Sequence, residues 1–206
     1  MHARTITIDA RPEAVEAGLA YVRDEVLPTV LDMPGCIGMS MVADRATGRC
    51  IATSAWESEE AMHASEGPVA PTRARAAEIL GGPPQVEEWE VVLMHRDHRS
   101  GDGACVRSTW LTGDPANLER NIDVFKLSTL PALEQFDGFC SASLLVNRTT
   151  GRVLATIAYD SPQAREQARQ QADALRSRTA SEMAAKVQDV REFDLVHAHL
   201  HVPEMA

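Results

Sequence analysis

Hydrophobic and polar positions along the first part of the chain follow two different periods. The segment TITID, which begins at Thr5, alternates as a half-buried strand does. A helical period follows from Pro12, a residue that suits the first turn of a helix. Pro28 falls inside this helical pattern and is predicted to loosen its last turn, because proline has no amide hydrogen. The predicted apolar stripe is formed by Val15, Leu19, Val22, Val26 and Val30.

Two apolar runs come next, residues 37–43 and 50–56. The short polar loop DRATGR joins them and contains a glycine, a pattern that predicts a β-hairpin. Ser58 follows and is placed to cap a second helix.

The second helix is expected to differ between the two halves of the chain. Gly67-Pro68 and Pro71 predict interruptions in the first half. In the second half, Ser161 and Pro162 predict a helix start, and residues 163–186 contain no breaker, so one long helix is expected there. A closing strand is predicted near residues 89–95 and again near 193–201.

The same order of elements occurs twice because the sequence is repeated. Adding 103 to a residue number of the first copy gives its counterpart, as Gly35 and Gly138 or Trp56 and Tyr159 show. Near residue 190 the offset becomes 104. The repeat is the size of a small domain. We therefore predict a first module at residues 1–96, a linker at 97–103 and a second module at 104–206.

Each module reads strand, helix, strand, strand, helix, strand, which is the ferredoxin-like βαββαβ unit. A four-stranded sheet with helices on one face leaves its other face uncovered. The predicted fold class is therefore α+β, with two tandem ferredoxin-like modules packed sheet to sheet as a dimeric α+β barrel pseudo-dimer within one chain. Further self-association is left open by the sequence.

Charge and cysteine content narrow the class of protein. The net charge of −10 and the pI near 5.1 argue against nucleic acid and membrane surfaces as partners, since both attract a basic face. The chain contains four cysteines and none forms a Cys-x-x-Cys pair, so reduced thiols and a cytoplasmic location are expected. A redox pair is the alternative. A small-molecule ligand is the expected partner.

The segments ATSAWESEEAMHASEGPVAP and VEEWEVVLMHR resemble the antibiotic biosynthesis monooxygenase family, and AYDSPQA with EFDLVHAH is a weaker second copy. The resemblance implies the dimeric α+β barrel fold. It implies an activity drawn from a range that includes cofactor-free oxygenation of aromatic polyketides and haem degradation. In the haem-degrading branch an Asn, a Trp and a His carry the function. Their positions are occupied here by Thr7 (Trp110 in the second copy), Ser65 and Arg73 (Arg176 in the second copy), so haem is not expected. No motif in the sequence marks a flavin or nicotinamide site, so no other cofactor is expected.

Strand parity places Thr7 and Asp9 on the face opposite Ile6 and Ile8, and in the second copy it places Trp110 and Thr112 together. We interpret Thr7, Asp9, Trp110 and Thr112 as the lining of a pocket between the sheets for a flat, partly oxygenated ligand. The alternative is that Trp110 fills a packed interior while the hydroxyl groups bond to nearby backbone.

Two further clusters are candidates for binding. Arg73 and Arg176 recur at equivalent positions and could contact an anion, although a solvated helix face explains them as well. The segment HAHLH puts three imidazoles on one face of a strand, which is the ligand type for zinc or copper. Because adjacent same-face residues fan apart and no acidic or cysteine partner adjoins, no metal site is assigned to His197, His199 and His201.

These observations favour a cofactor-independent monooxygenase-like protein that acts on a flat aromatic or quinol-type molecule. Catalytic residues are not identified, because no general base stands out. The alternatives are a non-catalytic small-molecule binder and a stress-associated barrel protein with a packed interior.

Overall fold

The strands and helices of the first repeat follow the predicted order. The computed structural model describes residues 1–200. The first repeat contains β1 (His2–Asp9), α1 (Val15–Tyr21), α2 (Leu27–Leu31), β2 (Cys36–Asp44), β3 (Arg49–Trp56), α3 (Glu59–Ala64), α4 (Glu66–Leu80) and β4 (Gln85–Arg96).

The second repeat gives the same series in the same order. It contains β5 (Cys105–Thr112), α5 (Leu118–Val124), α6 (Leu130–Leu133), β6 (Phe139–Asn147), β7 (Arg152–Tyr159), α7 (Pro162–Gln167), α8 (Arg169–Glu182) and β8 (Lys186–Leu200). The predicted α+β class with two ferredoxin-like modules is confirmed. None of the helices in residues 1–200 is both long and apolar enough to cross a membrane.

The structure divides into two compact units that differ from the sequence repeats at the last strands. The first unit is formed by residues 1–89 and 194–200, and the second unit by Glu90–Phe193. The strands β4 and β8 are 12 and 15 residues long, and residues 90–96 of β4 pair with β6 while residues 194–200 of β8 pair with β2. The repeat boundaries at 96 and 104 remain a description of the sequence.

Each unit contains an antiparallel sheet. In the first unit the strand order is β4, β1, β3, β2, β8, and in the second unit it is β8, β5, β7, β6, β4. The register pairs Ile6 with Ala52 in one unit and Thr109 with Ala155 in the other. Ile6 and Thr109 lie on the sheet face that points toward the helices. The buried apolar side chains of each unit pack on this face.

The first helix of each repeat widens before its proline, as predicted for the first copy. A π-turn spans Val22–Val26 ahead of Pro28, and another spans Phe125–Thr129 ahead of Pro131. Because proline has no N–H and its ring crowds the carbonyl four residues earlier, a wider turn relieves the clash without ending the helix.

The second helix of the second repeat is not continuous, so that prediction was wrong. Helix α7 ends at Gln167 and α8 begins at Arg169, just as α3 and α4 are separated at Ser65. Pro71 lies inside α4 without interrupting it. The break therefore belongs to the fold rather than to local breakers. The predicted caps are confirmed, since the Ser58 and Ser161 hydroxyls accept the amides of Ala61 and Ala164.

The hairpin between β6 and β7 packs against the end of β5 through a glycine. Gly151 has φ +67°, and a Cβ there would lie 2.1 Å from the carbonyl oxygen of Gly113. The backbone N–H of Gly113 donates to the Gly151 carbonyl at 3.0 Å, so neither strand can move away without losing a hydrogen bond.

Replacing Gly151 by alanine is expected to lower the free energy of unfolding by roughly 2 kcal/mol or more, because the positive φ and the backbone clash both penalise a side chain. The matched control is Gly101→Ala, where a Cβ meets no atom within 4 Å and the change should stay within about 0.5 kcal/mol. Urea unfolding of both variants tests this. Equal midpoints would contradict the close approach.

Candidate functional site

A cavity of about 80 Å³ lies within the second unit, between the helix-facing side of its sheet and helices α5 and α8. Its walls are largely apolar, and the polar side chains that reach it are few. Its apolar lining includes Leu111, Leu118, Ile122, Phe125, Leu133, Leu144, Val146, Val153, Leu175 and Met183. A small set of polar groups in an apolar cavity is typical of a small-molecule site.

Arg107 on β5 is the most deeply buried of the charged residues at this cavity, at 4% exposed. Its Nε and Nη2 donate to Oε1 of Glu192 at 3.2 and 2.7 Å. Its Nη1 is buried and makes no hydrogen bond within residues 1–200, with the nearest carboxylate oxygen, on Asp173, at 3.9 Å. One N–H donor group of this buried guanidinium therefore has no hydrogen-bond acceptor among residues 1–200.

Glu192 is held as a carboxylate by the cations around it. Burial alone would raise the pKa of Glu192, but the hydrogen bond from Arg107 and the charges of Arg165 and Arg169 lower the pKa overall. Arg165 and Arg169 lie 3.2 and 3.1 Å from its oxygens. Because Glu192 is shared among three cations, it neutralises Arg107 only in part.

Two other polar groups at the cavity also lack partners. The Tyr159 side chain is fully buried, and its hydroxyl has no hydrogen-bond partner in the described part of the chain. Burial raises the pKa of this phenol, so it remains a proton donor. Asn121 donates through Nδ2 to the Met183 carbonyl at 3.1 Å, whereas its buried Oδ1 has no hydrogen-bond partner among residues 1–200.

The first unit contains the equivalent cavity, but it is smaller and its arginine is fully bonded. The volume is about 50 Å³. Arg4 is 1% exposed and donates through Nη1 to Ser65 Oγ at 3.0 Å and through Nη2 to the Met62 carbonyl at 2.9 Å. Its Nε and Nη2 also donate to Glu88 Oε1, at 3.2 and 2.9 Å.

The difference between the two cavities traces to a few substitutions between the repeats. Ala168 stands where the first repeat has Ser65, so Arg107 lacks the hydroxyl that Arg4 uses.

The buried aromatic residue also loses a side-chain hydrogen-bond partner in the second repeat. Tyr159 and Ile157 stand in place of Trp56 and Ser54, whose side chains hydrogen-bond to each other at 3.0 Å.

The third substitution concerns the helix that covers the cavity. Asn121 stands in place of Gly18, where a Cβ would lie 2.1 Å from a methyl group of Leu80. All three unpartnered polar atoms at the second cavity are thus products of divergence between the repeats. Because each such group costs about 1–3 kcal/mol of stability when left unbonded, their accumulation in one cavity makes this cavity the candidate site.

The four residues predicted to line a pocket lie on the other face of their strands. Thr7, Trp110 and Thr112 are half-buried and Asp9 is exposed, and none of them lines either helix-side cavity. Asp9 accepts two hydrogen bonds from Arg49 at 2.7 and 3.0 Å. A pocket on their face of the sheet stays a prediction.

The expected burial of Trp110 is only partial. The Trp110 ring meets Phe193 edge-on, with ring centroids 6.5 Å apart.

The predicted anion contacts do lie at the cavities. Arg73 lines the first and Arg176 the second. Each is paired with a carboxylate of its own helix, Arg73 with Glu66 and Arg176 with Asp173, the latter at 3.0 Å. Each arginine could therefore contact an anion only while it also bonds to its carboxylate.

The predicted histidine face is described only in part. His197 on β8 is half-buried and lines a surface groove of the first unit. The side chain of His199 and the whole of His201 lie outside the described residues, so this cluster is not tested.

Sequence reasoning missed Arg107, Tyr159 and Asn121. One signal was available, because an arginine recurs in the middle of the first strand of each repeat, where its side chain points toward the helices. The loss of bonding partners could not be seen, since it depends on which side chains meet across the fold.

The comparisons with known proteins agree with this architecture. The family model for antibiotic biosynthesis monooxygenase matches residues 1–69. The uncharacterised protein Rv2557 of Mycobacterium tuberculosis H37Rv is 51% identical over 205 residues, which cover all of this chain and 92% of that protein.

Among solved structures, an anthrone oxidase-like protein aligns over 100% of this chain and 95% of its own, with a TM-score of 0.69 and 16% identity. The haem-degrading enzyme LmHde of Listeria monocytogenes aligns over 94% of this chain and 99% of its own, with a TM-score of 0.54 and 8% identity. At these identities the likeness shows the fold alone. The extended sequence match, the family model and the shared fold together show that the chain belongs to the antibiotic biosynthesis monooxygenase family.

Proposed function

We propose that the second-unit cavity binds a small, flat, largely apolar molecule through an oxygen atom that carries or develops negative charge, and that the protein oxygenates it without a cofactor. The observation that carries this proposal is the convergence of Arg107 Nη1, the Tyr159 hydroxyl and Asn121 Oδ1, all buried and without hydrogen-bond partners in residues 1–200, on one apolar cavity. The anthrone oxidase-like neighbour supports the choice of an oxygenated aromatic substrate.

The chemistry assigned to these groups is electrostatic. Arg107 and Tyr159 donate hydrogen bonds to a phenolate or enolate oxygen, and this stabilises the carbanion character of the conjugated ring carbon. Molecular oxygen is the co-reactant. In the keto tautomer of the substrate one ring carbon is a CH2 group, and this is converted to a carbonyl group as one atom of O2 enters the product and the other leaves as water, so the substrate supplies all four electrons. The apolar walls exclude bulk water and so strengthen the contacts to the anion.

The size of the cavity narrows the substrate. At about 80 Å³ it is roughly half the volume of an engineered cavity that binds benzene. A single-ring quinol therefore suits it better than a fused polycycle, and side chains must yield to admit the ring. Met183 lines the cavity and is the most adaptable of its walls, because the thioether chain rotates freely about three bonds.

A second function, binding without turnover, is favoured by one specific observation. Asp114 is the carboxylate among the described lining residues, and it is exposed and accepts the backbone N–H of Ala116 at 2.9 Å. It is thus committed to starting the following turn rather than to removing a proton from a ligand. A binder would use the same three polar groups and leave the ligand unchanged.

Haem does not fit either cavity. None of the described lining residues is a histidine, and volumes of about 80 and 50 Å³ fall far short of ordinary ligand pockets, which exceed roughly 300 Å³. We derive no step through haem.

Removing the Tyr159 hydroxyl separates function from stability. Tyr159→Phe should be at least as stable as the unaltered protein, because the lost group makes no hydrogen bond. The same change should weaken binding of a hydroquinone by about tenfold, and oxygen uptake should fall with it. Affinity is measured by calorimetry and turnover by an oxygen electrode with hydroquinones and anthrones.

Tyr21→Phe in the first unit is the control and should leave both values unchanged. Affinity and uptake that are the same in Tyr159→Phe as in the unaltered protein would remove Tyr159 from the site. Retained affinity without oxygen uptake in the unaltered protein would favour the binder.

Placing the serine of the first repeat at position 168 should weaken ligand binding in the second cavity. In Ala168→Ser the new hydroxyl can accept from Arg107 Nη1 as Ser65 accepts from Arg4. Stability should rise by about 0.5–1.5 kcal/mol while ligand affinity falls. The reciprocal variant Ser65→Ala should lose about 1–3 kcal/mol and keep its affinity. Thermal unfolding and calorimetry on both variants test this. Unchanged affinity in Ala168→Ser would show that Arg107 does not bind the ligand.

Hemin should form no tight stoichiometric complex, because the described lining residues supply no imidazole and the cavities are too small. A titration followed at the Soret band should give a weak signal without a sharp end point. His63→Ala serves as the comparison, since His63 is an exposed imidazole on α3 that lies 3.0 Å from Glu88. A one-to-one complex that is lost in His63→Ala would contradict the account.

A further inference from the structure

Three potential metal ligands meet at the surface of the second unit, away from the cavity. They are His98 in the linker, Cys140 on β6 and Asp160 just after β7, and their ligand atoms all lie within 4.8 Å of one another. His98 Nε2 is 2.8 Å from Asp160 Oδ1, and Cys140 Sγ is 3.1 Å from the same oxygen. In a tetrahedral zinc site neighbouring ligand atoms are separated by about 3.5 Å, so little movement is needed.

Backbone hydrogen bonds hold the three residues in place. The amides of Asp97 and His98 both donate to the Cys140 carbonyl, at 2.9 and 3.4 Å, and the amide of Asp160 donates to the Gly138 carbonyl at 2.8 Å. Cys140 is the extra residue of a β-bulge, because the β6–β7 register shifts between Phe139 and Ser141. A bulge redirects a side chain out of the strand's alternation, and bulges are frequent beside functional sites.

The other ring nitrogen of His98 also has a carboxylate neighbour. His98 Nδ1 is 2.8 Å from Asp97 Oδ2, so a carboxylate orients the imidazole and leaves Nε2 facing Cys140 and Asp160. A carboxylate on the non-ligating nitrogen is the usual companion of a zinc-bound histidine.

We propose that His98, Cys140 and Asp160 bind a zinc ion, which His98 meets through Nε2, Cys140 through Sγ and Asp160 through a carboxylate oxygen. Imidazole, thiolate and carboxylate are all zinc ligands, and two of them are anions that balance the charge of Zn²⁺. His98 Nε2 and the Cys140 thiol both contact the same Asp160 oxygen, so the three ligand atoms converge where an ion would bind. Cys140 is fully buried, whereas His98 and Asp160 are exposed, so the fourth position faces water.

The first repeat supplies an internal comparison. Its amide of Glu57 donates to the Gly35 carbonyl at 2.9 Å, as Asp160 does to Gly138, and its register shifts at the same place. The position of Cys140 is Ile37 there, and Glu57 replaces Asp160. The backbone of the site therefore belongs to the fold, and the ligand set is confined to the second repeat.

Cobalt and zinc titrations of the chelator-treated protein test the site. Co²⁺ should bind one ion per chain and give the near-ultraviolet charge-transfer band of a cobalt–thiolate bond, and Zn²⁺ should abolish the band by displacement. Competition with a chromophoric chelator gives the zinc affinity. Asp160→Asn and His98→Ala should weaken it by at least roughly 100-fold, and Asp97→Asn by roughly 10- to 100-fold.

Cys140→Ser should lose the cobalt band, whereas the control Cys36→Ser should keep it, because the Cys36 thiol contacts Gly38 in the first unit as the Cys140 thiol contacts Gly138. Asp160 and His98 are exposed, so their variants remain informative even where Cys140→Ser fails to fold. The absence of a thiolate band in the unaltered protein would overturn the proposal, as would a zinc affinity that Asp160→Asn and His98→Ala leave unchanged.

Discussion

A buried arginine on the first strand of each repeat, bonded to a glutamate on the last strand, is the interaction on which both helix-side cavities depend. Arg4 is held by Glu88 in the first unit and Arg107 by Glu192 in the second. A guanidinium removed from water is tolerated only where a nearby carboxylate compensates its charge, because an uncompensated buried charge costs several kcal/mol. Arg4 also donates to the Met62 carbonyl and the Ser65 hydroxyl at the second helix of its repeat. The hydrogen bonds that Arg107 makes within residues 1–200 go to Glu192. Each arginine has further N–H groups that do not bond to the glutamate. Where these groups have acceptors the cavity is part of a fully hydrogen-bonded core, and where one has none the cavity can accept a ligand.

The two copies differ in how the polar groups at their cavities are hydrogen-bonded. The first copy fills its cavity with groups that bond to one another, as Ser65 does with Arg4 and Trp56 with Ser54. The second copy has lost Ser65 and gained a phenol and an amide whose polar atoms find no hydrogen-bond partner in residues 1–200. Such a site sacrifices stability, and stability is commonly exchanged for function in this way. On the proposed function, the first module keeps a fully bonded interior and the second module binds the ligand.

Periodicity and the internal repeat were sufficient to predict the fold class, the hairpins and the helix caps, because these depend on local pattern. The break at Ala168 was missed, since no local breaker marks it and only the first copy showed proline and glycine nearby. The site was harder still. Strand parity separated Ile6 and Ile8 correctly from Thr7 and Asp9, but the predicted pocket lay on the polar face, whereas the cavities lie on the apolar one. Arg107 was overlooked there because an unpartnered donor is a property of three-dimensional neighbours. His98 lay in a segment read as linker, so its meeting with Cys140 could not be seen.

The central claim is that the second-unit cavity, and not its first-unit counterpart, is the binding site. A crystal structure of the protein soaked with a hydroxyquinone, which cannot turn over, tests it most directly. The account predicts density for one ring in the second-unit cavity, with a ligand oxygen within hydrogen-bond distance of Arg107 Nη1 and the Tyr159 hydroxyl. Density in the first-unit cavity beside Arg4, or on the strand face that carries Thr7 and Trp110, would contradict it.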